Sequence, residues 1–101
     1  MPKKVDASQT QLVQVFRALG LTVAITSGVG DGFPDIVVGG LMPCVCGSQR
    51  RVKQTKIVEI KTPKGILTPD QKEFHAIWRG QLDVIRTEED VLHLIGARIR
   101  S

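Results

Sequence analysis

A single α/β domain, with a mixed β-sheet flanked by helices in the order αβββαβα, is the fold class the sequence predicts. Its length of 101 residues is close to the modal size of one compact domain. With 42% hydrophobic and 24% charged residues it has the composition of a soluble globule and not of a disordered chain. Finally, windows with helical apolar spacing alternate with short β-branched runs, and no repeat or linker divides residues 1–101.

The elements follow in order. Ser8 and Gln11 have capping-box spacing, and Leu12, Val15, Phe16 and Leu19 then repeat with helical period until Gly20 stops the helix. Leu21 to Thr26 is β-rich, and the three glycines between Ser27 and Phe33 make a loop that Pro34 closes. Ile36-Val37-Val38 predicts a short strand beginning just after Asp35 and ending at Gly39-Gly40. Leu41 to Gln54 reads as irregular and polar, and Thr55 to Lys61 as the next strand.

Thr68, Pro69 and Gln71 combine an N-cap, a proline at the first helical position and a capping-box partner. Phe74, Ile77 and Trp78 would form that helix's buried stripe, with Gly80 as its terminator. Leu82 to Arg86 predicts a strand. Thr87 caps a last helix whose first turn holds Glu88, Glu89 and Asp90, with Val91, Leu92 and Ile95 turned inward.

No apolar run approaches the roughly 18 residues of a membrane span, and Met1-Pro2-Lys3-Lys4 is not followed by an apolar secretion segment. The expectation is a soluble, cytoplasmic protein. Cys44 and Cys46 are too close for an unstrained disulfide and read as reduced thiols. As half of a zinc site they would need two more ligands, and only His75 and His93 remain, far along the chain. His75, one turn past Gln71 on the same helix, could face a substrate, but a lone helical histidine is more often solvated or packed, and Trp78 reads as core rather than as a base-stacking platform.

The formal net charge is +4. The imbalance is concentrated where Arg50, Arg51, Lys53, Lys56, Lys61 and Lys64 face only Glu59. Such a cluster creates a positive field suited to a phosphate backbone, or simply a solvated loop.

Side chains two apart on a strand share a face, with Cα atoms roughly 6.5 to 7 Å apart, so Glu59 and Lys61 emerge together. Asp35, entering the neighbouring strand, can place a second carboxylate beside Glu59, and two carboxylates repel unless a proton or a cation joins them. Oxygen donors without histidine or thiolate favour Mg²⁺ or Mn²⁺. Lys61 would orient or deprotonate an attacking water.

Gly32-Phe33-Pro34-Asp35, Glu59-Ile60-Lys61 and Leu67-Thr68-Pro69-Asp70-Gln71 together resemble the PD-(D/E)XK nuclease superfamily. More narrowly, they resemble the virus-type replication-repair nuclease (VRR-NUC) domain across nearly the whole chain. The resemblance implies a restriction-endonuclease-like domain in which Asp35, Glu59 and the main-chain carbonyl of Ile60 bind Mg²⁺ or Mn²⁺. It makes Lys61 catalytic and Gln71 a supporting active-site residue, although the N3 position already explains Gln71 as a cap.

Such domains commonly carry a glutamate early in the first helix, where this chain offers only Asp6, Gln9 or Gln11. The expected activity is DNA phosphodiester hydrolysis, with Arg50, Arg51, Lys53, Lys56 and Lys64 contacting the backbone. Stand-alone domains of this kind resemble phage or prophage Holliday junction resolvases, which implies a homodimer acting on branched DNA. The alternatives are a non-catalytic nucleic-acid-binding module and an RNA nuclease of the same fold.

Overall fold

The structure, a computed structural model, describes residues 7–44, 46–47 and 49–96. Its elements are α1 (Ala7–Ala18), β1 (Thr22–Ile25), β2 (Ile36–Pro43), β3 (Arg51–Ile60), α2 (Pro69–Ile77), β4 (Leu82–Ile85) and α3 (Glu88–Leu94). One sheet runs in the order β1-β2-β3-β4, antiparallel from β1 to β3, with β4 parallel to β3. A parallel neighbour needs a crossover connection, and α2 lies within it.

The core sits on one face of that sheet. Val23, Ile36, Val38, Met42, Val58, Ile60 and Ile85 pack against Leu12, Val13 and Phe16 of α1 and Val91 and Ile95 at α3. Ile36 lies opposite Val58, and Ile60 beside Ile85, so these apolar side chains project together. The Gln11 amide ties the two covering helices by donating to Glu88 Oε1 at 2.9 Å.

Glu59 and Lys61 alternate with Val58 and Ile60 and therefore point to the opposite face. There Thr22, Ala24, Leu41, Lys53 and Thr55 are exposed, while Ile57 and Glu59 are buried. The Gln71 amide meets the Glu59 carboxylate, so α2 lies over the Glu59 end of this face.

Several expectations are corrected. The helix α1 already includes Ala7, so Ser8 lies inside its first turn rather than ahead of it, and the Gln11 side chain reaches Glu88. Leu19 falls beyond the helix and is exposed, and Val13 takes its place in the core.

The glycine pair does not end β2. That strand continues to Pro43, and β3 begins at Arg51, so most of the expected irregular segment is a long hairpin. A continuous ladder satisfies backbone groups that would otherwise need water, which outweighs the ~0.5–1 kcal/mol entropic cost of a glycine. Gly40 suits its position because its φ of +153° is a backbone conformation that other residues rarely adopt, and its missing Cβ leaves room for the Leu21 side chain.

Most consequential is α2. Its Thr68–Gln71 capping box forms, but the helix has no buried residue. Phe74 is half-buried, Trp78 is the C-cap residue and Ile77 is 69% exposed. In place of the expected apolar stripe, Gln71 and His75, spaced i,i+4, face Glu59.

Candidate active site

The site is assembled where β2 begins and β3 ends. Asp35 is anchored through its backbone: its N–H donates to the Val58 carbonyl at 3.1 Å, and its carbonyl accepts from Thr26 N–H at 2.8 Å. The Thr26 hydroxyl donates to the Pro34 carbonyl at 2.8 Å, which fixes the preceding proline. With the backbone held, the side chain has one direction, and its Oδ2 accepts from Ile60 N–H at 2.8 Å.

The glycine-rich loop reaches α2 through Gly32. This residue has φ +78°, and a Cβ on it would strike the main chain of Asp70. Glycine therefore permits both the turn and the close approach. Phe33 then meets Phe74 edge-on at 5.4 Å, and Phe74 stacks on Trp78 at 5.4 Å. These rings do the work of the missing buried stripe in fastening α2.

Glu59 is 1% exposed, which is costly for a carboxylate. Its Oε2 accepts from Gln71 Nε2 at 3.2 Å. Its Oε1 is buried without a hydrogen-bond partner and lies 3.7 Å from His75 Nε2, which is equally unpartnered. Burial, with the neighbouring Asp35 carboxyl adding a hydrogen bond and like charge, pushes the Glu59 carboxyl up to about 8, against the pull of Lys61. His75 is pushed below its ordinary value by burial and then by the Lys61 charge.

Gln71 serves both roles that its position allows. Its Oε1 accepts from Thr68 N–H at 2.8 Å as a capping partner, while its Nε2 donates to Glu59. Lys61 is half-buried just past β3, and its N–H donates to the Ile85 carbonyl at 3.0 Å. Asp35, Glu59, Lys61 and Gln71 are thus brought together, and His75 joins them. The i,i+4 spacing of Gln71 and His75 was the available signal for that addition.

The basic residues divide. Arg50, Lys53 and Lys64 are exposed. Lys56 lies opposite the core residue Val38 and is paired with Asp83 at 3.7 Å, so it is turned away from the Glu59 face. Arg51 folds onto the end of α3, its Nη2 donating to the carbonyls of Ile95 at 2.7 Å and Leu41 at 3.1 Å.

In the first helix, Gln9 is buried, Gln11 is engaged with Glu88, and Asp6 lies outside the described residues. Cys44 and Cys46 lie in the hairpin turn, where Cys46 N–H donates to Cys44 Sγ at 3.4 Å.

The residues present fit a small divalent cation. Two adjacent carboxyls, one with a buried oxygen lacking any partner, are balanced by a proton or by a cation. Among the described residues no three His, Cys, Asp or Glu side chains already stand as a ligand group. The Ile60 carbonyl and water would therefore have to complete the shell around Asp35 and Glu59. The chain matches no protein-family model, no curated protein and no solved structure.

Proposed function

We propose that this protein is a Mg²⁺- or Mn²⁺-dependent DNA endonuclease with a restriction-endonuclease-like site of the VRR-NUC type. The observation that carries this reading is the buried, hydrogen-bonded neighbourhood of Asp35 and Glu59, with one Glu59 oxygen unpartnered and Lys61 on the same strand face.

Asp35, Glu59 and the Ile60 carbonyl would hold the cation. When bound, it supplies Lewis-acid polarisation of a phosphate oxygen and lowers the pKa of a water. Gln71 keeps the Glu59 carboxylate in one orientation, and the Ile60 N–H does the same for Asp35. Lys61 orients the attacking water or takes its proton. Water adds to phosphorus in line as the bond to the 3′ oxygen breaks, leaving a 5′-phosphate and a 3′-hydroxyl.

Charge sets the side of approach. A shallow pocket between the glycine-rich loop and α2 is lined by Asp31, Asp70, Glu73, Phe74 and Ile77, and its three acids repel a phosphate backbone. Lys53 and Lys64 are exposed, and DNA would be held there by backbone contacts without base readout. A symmetric branched substrate would be served by two such sites in a C2 homodimer. Among the described residues no helix is long and apolar enough to cross a membrane.

The test is incubation of purified protein with labelled duplex, flap and four-way junction DNA, with Mg²⁺, with Mn²⁺ or with EDTA. Cleavage is expected with either metal, none with EDTA, and none for Asp35→Ala, Glu59→Ala or Lys61→Ala variants whose circular dichroism is unchanged. Binding to DNA without cleavage under every condition would point to the non-catalytic module instead.

A further inference from the structure

We propose that His75 is a nitrogen donor to the cation held by Asp35 and Glu59, and that it makes the site prefer Mn²⁺ to Mg²⁺. This rests on the metal site of the reading above and adds a ligand that the sequence did not assign.

Among the described residues, Glu59 Oε1 and His75 Nε2 are buried side-chain polar atoms without a partner, and they face each other at 3.7 Å. That separation is beyond a hydrogen bond. Buried polar atoms are ordinarily satisfied, and two left open toward one point are best explained by something that both can hold. Two donors each about 2.1 Å from a shared ion lie ~3 Å apart at a right angle and ~3.6 Å apart at 120°. The observed 3.7 Å gap would have to close by ~0.7 Å for the right angle of an octahedral site and by ~0.1 Å for 120°.

Both side chains are placed for this. Glu59 is fixed at its other oxygen by Gln71, and His75 follows Gln71 by one helical turn, so α2 presents both residues to the same carboxylate. The third side chain, Asp35, is close enough to Glu59 for its carboxyl to act on the Glu59 carboxyl. Among the described residues no three His, Cys, Asp or Glu side chains are placed as a ligand group, so these side chains would have to draw together around the ion.

Chemistry then sets the preference. Mg²⁺ demands a near-ideal octahedron and gives up water reluctantly, whereas Mn²⁺, which also takes carboxylate and water oxygens, is a first-row transition metal and loses less than Mg²⁺ when one of those oxygens is replaced by an imidazole nitrogen.

Mn²⁺ binding to the full chain without DNA, followed by electron paramagnetic resonance, tests the assignment. The wild type is expected to show imidazole-nitrogen coupling to bound Mn²⁺ and to bind Mn²⁺ at least about tenfold more tightly than Mg²⁺. His75→Ala and His75→Gln should both lose the coupling and weaken Mn²⁺ binding roughly 10- to 100-fold, the range for disturbing a metal site's surroundings. Mg²⁺ affinity should change little. Nitrogen coupling is read on the wild type, so it remains informative even if a variant unfolds; coupling that survives in a folded His75→Gln protein would overturn the proposal. Mn²⁺ binding that depends on Asp35 and Glu59 but shows no nitrogen coupling would also overturn it, leaving the nuclease reading intact. Absence of any binding of Mn²⁺ or Mg²⁺ would overturn both.

Discussion

Glu59 concentrates the chemistry of the molecule, because a carboxylate that is 1% exposed beside a second carboxyl is unfavourable as an anion. Its raised pKa makes the metal-free protein pH-sensitive in a definite direction. The folded state keeps a proton up to about pH 8, while the unfolded carboxyl loses it near 4.5. Stability is therefore greatest at low pH for this group and is lost as pH rises through the folded value. His75, lowered from 6.5, acts oppositely, and its effect grows as pH falls through that value, where protonation of the unfolded chain weakens the fold. Above pH 6.5 the Glu59 effect dominates, and denaturant titration should show stability falling as pH rises toward about 8. Glu59→Gln should flatten that slope; a flat wild-type profile would mean that Glu59 is already ionised. Gln71 separates two roles in the same way. Gln71→Ala should cost about 1–2 kcal/mol through the lost cap and also impair cleavage. Gln71→Glu keeps a capping acceptor but not the amide donor to Glu59, so cleavage should fall while the isolated helix cap survives. Equal cleavage by Gln71→Glu and the wild type would remove Gln71 from the site.

Elements differ in how far their residues announced them. The capped starts of α2 and α3 were legible because Thr68 and Thr87 each satisfy a backbone N–H at the N3 position, a local interaction that needs no tertiary context. The hairpin was not. Gly39-Gly40 reads locally as a break, and only pairing with β3 and the nearness of Leu21 explain a strand through it. The Asp35–Glu59 pair was legible from motif spacing, while His75 was missed because its partner is supplied by a distant strand. The basic cluster also read as one surface, yet the strand's alternation and the turn back onto α3 divide it. Arg51 and Lys53, two residues apart, should therefore respond differently to substitution. Arg51→Ala removes charge-assisted bonds to the Ile95 carbonyl at the end of α3 and to the Leu41 carbonyl of β2 and should lower stability by about 1.5–3 kcal/mol in thermal or denaturant unfolding. Lys53→Ala, at an exposed position, should change stability by less than about 0.5 kcal/mol and act on DNA affinity alone. Equal destabilisation by the two would mean that Arg51 is not the staple between the hairpin and α3.

At the scale of the whole molecule, the sheet is asymmetric: α1 and α3 cover one face, and the other is covered near Glu59 while Thr22, Ala24, Leu41, Lys53 and Thr55 stay exposed. Asp31, Asp70 and Glu73 line a shallow pocket beside α2, and Lys53 and Lys64 are exposed; on the proposed function these two lysines contact the phosphate backbone. Counterion release makes this orientation measurable. Each lost backbone contact reduces the log-log slope of duplex affinity against salt by roughly 0.9. The double variant Lys53→Ala/Lys64→Ala should lose about twice that, equally for unrelated sequences, whereas Lys56→Ala, whose ammonium is paired with Asp83, should leave the slope unchanged. A sequence-selective loss would indicate base readout. The same surface argument bears on assembly, because a chain of 11.1 kDa has little area with which to grip two arms of a junction. Two copies related by a two-fold axis would present two Glu59 sites to two equivalent strands. Sedimentation at micromolar concentration should then give about twice the chain mass, and the two nicks in a four-way junction should be coupled within one encounter. A monomer making single, uncoupled nicks would overturn the dimeric arrangement and leave the Asp35–Glu59 site as a self-sufficient nuclease.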